Sequence, residues 1–215
     1  MPISHAANVA GIFGELWRRL GGVWNGQWRK GITPPKATKL AIFESPSLSD
    51  VIRAMNKHSN NVIARNLFIS LDDAKTAQTV EGGRNVFNQW MRLQGVEGDF
   101  FVENGSGLSR KGRMSAGQLA QLMNNLWQHP MRAEIISSLP VLGVDGTLSK
   151  RLRKNDKGQG HLKTGSLDGV KNIAGFIRDQ QGRDFIFICL TERQSGWRAK
   201  RFQDALIALV RRGGV

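Results

Sequence analysis

A chain of 215 residues, 40% hydrophobic and 22% charged, is long enough for one large domain, and that balance excludes a disordered or fibrous polypeptide. Thirty-one basic residues against 17 acidic ones leave a net charge of +14, which serves either general solubility or attraction to an anionic partner: nucleic acid, a membrane face or an acidic wall polymer. One cysteine, Cys189, permits no internal disulfide, and no stretch approaches the roughly 18 apolar residues of a membrane-spanning helix.

In chain order, residues 5–20 repeat Ala10, Phe13, Trp17 and Leu20 at helical spacing and stop at Gly21-Gly22. This start is not a signal peptide: it has no basic n-region, and Glu15, Arg18 and Arg19 interrupt its apolar residues. Residues 23–45 are irregular, with Pro34-Pro35 forbidding regular structure in the middle. Ser47 to Asp50 offer caps for a helix to about Lys57, which Ser59-Asn60-Asn61 break. A second helix from about Val62 to Leu71 carries Ile63, Leu67 and Leu71 on one face, and Thr79 to Arg92 predicts another.

A glycine-rich loop spans 103–113, and Ser115 caps a helix holding Leu119, Leu122, Met123 and Leu126. A short helical piece lies between Pro130 and Pro140, and 141–160 are loop-rich and basic, densest at 150–154. Strands are predicted at 161–166, 171–178 and 184–191, the last two joined by the hairpin signal Asp179 to Arg183. Cys189, inside the apolar run 185–190, reads as a buried small hydrophobe. An amphipathic helix over 196–212 faces inward with Phe202, Leu206, Leu209 and Val210. Helices, then a short antiparallel meander, then a terminal helix make an α+β fold with helices packed on an antiparallel sheet.

Two motifs carry chemistry. Lys163-Thr164-Gly165 puts an ammonium, a hydroxyl and a residue without a side chain in a row on extended backbone, which makes a carboxylate-binding edge. Ser59-x-Asn61, in a turn between helices, can offer a hydroxyl for proton transfer and a carboxamide for a substrate amide; the competing role is a helix N-cap. The order S-x-N in an interhelical turn, then K-T-G on a strand before a hairpin and a C-terminal helix, is that of penicillin-binding proteins and serine β-lactamases.

The words SPSLSDVIRAMNKHSNNVIARNLF (45–68), ENGSGLSR (103–110), LPVLGVDGTLSKR (139–151) and HLKTGSLDGVKNIAGFIRD (161–179) sharpen this. From about Gly11 to Glu192 the chain resembles the D-alanyl-D-alanine carboxypeptidase/endopeptidase family of low-molecular-mass penicillin-binding proteins, the S13 peptidases. The resemblance implies a β-lactamase/transpeptidase-like domain. It implies cleavage of D-Ala-D-Ala and of peptidoglycan cross-links through an acyl-serine that β-lactams also acylate. It implies a periplasmic location, with peptidoglycan stem peptides and β-lactams as partners and no cofactor or metal. On the same resemblance Ser59 is the proton-relay serine and Asn61 positions the peptide. Lys163 and Thr164 hold the terminal carboxylate beside Gly165, Lys163 also tunes the serine relay, and the backbone N–H of Ser166 is an oxyanion donor.

The family also needs S-x-x-K, a nucleophilic serine one helical turn before its lysine, and no serine here is followed three residues later by lysine. The expectation is therefore the C-terminal part of such an enzyme, incomplete on its N-terminal side and inactive alone. It divides into a junction (1–45), a helical part with the S-x-N motif (46–140) and the K-T-G strand, hairpin and last helix (141–215). A separate N-terminal fragment or a second copy of the chain is the expected protein partner. The alternative is a non-catalytic basic module that binds peptidoglycan or another anionic polymer. Nucleic acid is not expected: the six tryptophans are too scattered for a stacking platform and read as core. The four histidines lack zinc spacing and read as surface or loop residues.

Overall fold

Ser4 opens the first helix, its hydroxyl accepting from the Ala7 N–H, and α1 runs over His5–Arg19. The computed structural model describes residues 4–29, 31–74, 77–152, 156–192 and 196–214. The chain divides into two units, 1–45 and 46–215. In the first, Glu15 pairs with Arg18 and Arg19, and Phe13 stacks on Trp17 and meets Trp24 edge-on. Residues 21–29 and 31–45 carry no regular element.

The second unit starts with α2 (Leu48–His58), capped by Ser47, and α3 (Asn61–Ile69), capped by Asn60. Asp72 closes the turn that follows, accepting from the N–H and hydroxyl of Thr79, which in turn caps α4 (Val80–Leu93). Ser115 and Gln118 form a reciprocal capping box on α5 (Ala116–Gln128), and α6 (Arg132–Ser138) follows. Met91, Val96, Met123 and Phe68 are buried apolar side chains of this helical layer.

The sheet is β1 (Gly160–Leu167), β2 (Val170–Arg178) and β3 (Asp184–Glu192), antiparallel in that order, followed by α7 (Gly196–Arg211). Asp179 builds the β2–β3 hairpin by accepting from the N–H groups of Gln181 and Arg183. Ile173, Ile177 and Phe187 close on Ile207 and Val210 of α7, with Leu142, Leu148, Leu162 and Cys189 completing one core. These are α+β elements with helices packed against an antiparallel sheet, as the residue pattern predicts.

Side-chain placement departs from expectation in several places. The inner face of α7 is Ala199, Gln203, Ile207, Val210 and Arg211, while Phe202 and Leu209 are exposed. Two polar residues displace two apolar ones because each has a partner inside. Gln203 Nε2 donates to the Lys171 carbonyl, and Arg211 reaches the Arg178 carbonyl and Asp156. Arg151, from the basic run, is buried against Asp204, and Arg153 and Lys154 lie outside the described residues. α3 buries Phe68, and Leu71 falls beyond the helix and is exposed. Five tryptophans are more than a third exposed, and only Trp127 packs inward, on Phe176. His161 is half-buried within β1 and bonds the Ile136 carbonyl.

Candidate active site

The end of α2 sets the first group. Ser59 is its C-cap in the left-handed region, φ 52° and ψ 47°, an uncommon backbone for a residue with a Cβ. The cap of α3 is Asn60, whose Oδ1 accepts from the Val62 and Ile63 N–H groups. The N-cap role that competes for Ser59 is therefore filled by its neighbour, and the Ser59 hydroxyl faces β1. There Lys163 Nζ donates to Ser59 Oγ at 2.5 Å and to the Thr164 carbonyl at 2.8 Å. Burial pulls the Lys163 ammonium below its ordinary pKa.

Asn61 is the first residue of α3, and its Nδ2 donates to the Ser106 carbonyl at 2.5 Å. A carbonyl only accepts, so this bond fixes the carboxamide: Oδ1 and the second N–H are left for a ligand. Ser106 is held in turn by Asn104 Oδ1, which accepts from its N–H and its hydroxyl. Arg84 of α4 ties the start of this loop by donating to the Val102 and Glu103 carbonyls. Gly105, at φ +69°, lies so close to Phe68 that a Cβ would stand 2.3 Å from the Phe68 Cβ. The glycine-rich loop is thus a rigid wall that aims Asn61.

β1 supplies the opposite wall. Gly160 and Leu162 turn their backbone groups away from β2, bonding Leu142 and Pro140. Two-residue alternation puts the N–H groups of Thr164 and Ser166 on that same outer edge, past the covered stretch. Side chains alternate too. Lys163, opposite Ala174, faces the helical layer, whereas Thr164 and Ser166, opposite Ile173 and Lys171, face α7. Thr164 Oγ1 is 3.0 Å from Thr147 Oγ1. A Cβ at Gly165 would meet only Asn172 Cβ at 3.7 Å, so the protein itself leaves this strip of backbone bare.

Ser59, Asn61, Lys163, Thr164, Gly165 and Ser166 all line one cleft of about 1000 Å³, together with Gly105 to Leu108 and Thr147. The roles of Thr147 and of the 104–108 loop are not visible in residue spacing: they meet the motif residues only through the fold. Among the described residues no group of three His, Cys, Asp or Glu side chains converges as a metal site would require, and no helix is long and apolar enough to cross a membrane.

Known proteins resemble this chain in sequence and in fold. D-alanyl-D-alanine carboxypeptidase DacB of Haemophilus influenzae is 30% identical over 192 residues, covering 85% of this chain and 39% of the relative. Carboxypeptidase DacB of Mycolicibacterium smegmatis is 31% identical over 187 residues, covering 82% and 40%. The chain thus spans about two fifths of the length of the curated relatives it matches. The crystal structure of penicillin binding protein 4 from Haemophilus influenzae superposes with a TM-score of 0.81 at 26% identity, covering 96% of this chain and 49% of that one. TLA-3 extended-spectrum β-lactamase, 16% identical with a TM-score of 0.57, shares the fold. The sequence pattern of the D-Ala-D-Ala carboxypeptidase 3 (S13) family matches residues 3–212, and the chain belongs to that family.

Proposed function

We propose that this chain forms the substrate-holding wall of a serine-type D-Ala-D-Ala carboxypeptidase/endopeptidase acting on peptidoglycan stem peptides. The observation that carries this reading is the 2.5 Å contact of Lys163 Nζ with Ser59 Oγ, which joins two motifs 104 positions apart at the mouth of one cleft. Lys163 and Thr164 grip the terminal carboxylate, a charge-assisted pairing stronger than a neutral one. Asn61 takes the substrate amide through Oδ1 and its free N–H. Ser59 passes a proton toward the departing amine, with the Lys163 ammonium favouring its alkoxide-like character. The Ser166 N–H meets the developing oxyanion.

β-Lactams carry a carboxylate and an acylating amide, and they enter the same cleft; penicillin binding protein 4 of Haemophilus influenzae has been crystallised with one. On this reading the site works in the periplasm, where stem peptides are found.

The chain contains no S-x-x-K pair, so it binds without forming an acyl-enzyme. The purified chain incubated with a fluorescent penicillin is expected to show no band after denaturation; a covalent band overturns the inactivity. Titration with an acyl-D-Ala-D-Ala peptide is expected to weaken about tenfold or more in Lys163→Ala and in Ser59→Ala. Wild-type affinity in both variants would sink the reading. The net charge of +14 favours a second reading, retention on anionic wall polymer without turnover. Pelleting with purified peptidoglycan that is indifferent to Lys163→Ala would favour it.

A further inference from the structure

Lys57 does not line the cleft, yet it stands two residues before Ser59 in the last turn of α2. Its side chain is only 13% exposed, and an ammonium so placed needs acceptors. It has two: Nζ donates to the Leu139 carbonyl and to Asp145 Oδ2, each at 2.7 Å. Asp145 is itself fixed, because its Oδ1 accepts from the Val141 N–H at 2.7 Å. The two backbones also meet. A Cβ at Gly146, where φ is +55°, would stand 2.6 Å from the Lys57 carbonyl oxygen. One residue earlier, Asn56 Nδ2 donates to the hydroxyl of the buried Ser138.

The segment that Lys57 grips is fastened in turn to β1. The Leu162 N–H donates to the Pro140 carbonyl, the Leu142 N–H donates to the Gly160 carbonyl, and Thr147 meets Thr164 through their hydroxyls. These links close a ring. It runs from Ser59 back to Lys57, across to residues 139–145, onto β1 and along that strand to Lys163, and it returns through the Lys163–Ser59 contact. The left-handed backbone of Ser59 has to be imposed by its surroundings, and the end of a helix frays unless it is tied down. An apolar side chain at position 57 would leave the spacing of α2 and β1 to contacts that fix no direction. A half-buried ion pair adds little net stability, since desolvation offsets its attraction, so what this one contributes is geometry.

Resting on the function proposed above, we infer that Lys57 is a positioning residue for that site: from behind the cleft, held by Asp145 and the Leu139 carbonyl, it sets where the Ser59 hydroxyl stands against Lys163. Lys57 touches no ligand. Its effect passes through Ser59, and Asp145 shares the task by presenting an immobile carboxylate.

The test titrates the whole chain with an acyl-D-Ala-D-Ala peptide, with Lys163→Ala as the control for the parent reading. Lys57→Met, shown to be folded by near-ultraviolet circular dichroism, is expected to bind about tenfold more weakly. Lys57→Arg, which keeps a cation with donors for both acceptors, should restore affinity to within about threefold of wild type. With Ser59→Ala already in place, Lys57→Met should add less than about twofold, because the group it positions is gone. Wild-type affinity in folded Lys57→Met overturns the inference, and so does a full tenfold loss on top of Ser59→Ala, which would route the effect elsewhere. If Lys57→Met does not fold, Asp145→Asn is read in its place: it retains an acceptor for Val141 and loses the carboxylate that Lys57 meets. Weaker binding there supports the inference, and wild-type affinity overturns it. Binding that depends on Lys163 but not on Lys57 leaves the parent reading standing, whereas no Lys163-dependent binding in the wild-type chain overturns the parent reading itself.

Discussion

At the scale of single residues, the two glycines of the cleft do opposite work. Gly105 is required by the protein: its φ of +69° and its contact with Phe68 leave no room for a methyl group. Gly165 is not: its backbone is ordinary and a Cβ would find normal contact. Gly105→Ala is therefore expected to destabilise the chain by about 2 kcal/mol or more in denaturant unfolding. Gly165→Ala should leave stability within about 0.5 kcal/mol and yet weaken D-Ala-D-Ala peptide binding about tenfold, because the new methyl stands where the ligand backbone lies. The sequence marks Gly165 as a bare strand position in the K-T-G word, but it does not set Gly105 apart from the other glycines of the 103–113 loop. It does pick out Ser59, Asn61 and Lys163, because each belongs to a short word whose residue types are chemically matched.

At the scale of elements, the caps and the β-pattern are what make the chain legible. Ser47, Thr79 and Ser115 mark helix starts to within a residue, and alternation in 170–178 and 184–192 marks the strands equally well. The failure at α7 has a physical origin. Helical periodicity ranks faces by hydrophobicity, but Gln203 and Arg211 turn inward because each donates to a carbonyl of β2. Spacing cannot reveal such a partner, just as it cannot bring the 104–108 loop against Asn61.

Asn60 is the element-scale lever on the site. It caps α3 and sits between the two residues that face the cleft. Asn60→Ala is expected to cost about 1 kcal/mol in stability. It should also lower peptide affinity, read in the same titration, because a frayed α3 start misaims Asn61.

At the scale of the molecule, β1 divides its outer edge between structure and ligand. Its first half is bonded by residues 140–142, and its second half is open to the cleft. His161 sits in the covered half, where burial lowers its pKa against the opposing pull of the Ile136 carbonyl. A histidine whose folded pKa lies below the unfolded value of about 6.5 binds its proton more readily when unfolded. Its contribution is complete above that unfolded value and is lost as pH falls through the folded one. Unfolding free energy should therefore decline as pH drops below about 6.5, and His161→Gln should flatten that limb in denaturant titrations across pH. An unchanged slope would remove His161 from the account.

The left-handed backbone of Ser59 has a thermodynamic consequence that can be isolated from its chemistry. A residue with a Cβ held at φ 52° is in a conformation glycine adopts without penalty. Ser59→Ala and Ser59→Gly both delete the hydroxyl that Lys163 meets, so they differ only in what the backbone bears. The glycine variant is expected to be the more stable of the two by about 1 kcal/mol, the reverse of their order at a helical position. Both should bind ligand equally poorly. Such a pair would show that this turn is held in tension by the fold, and that what keeps a serine there is the ligand's need and not the fold's.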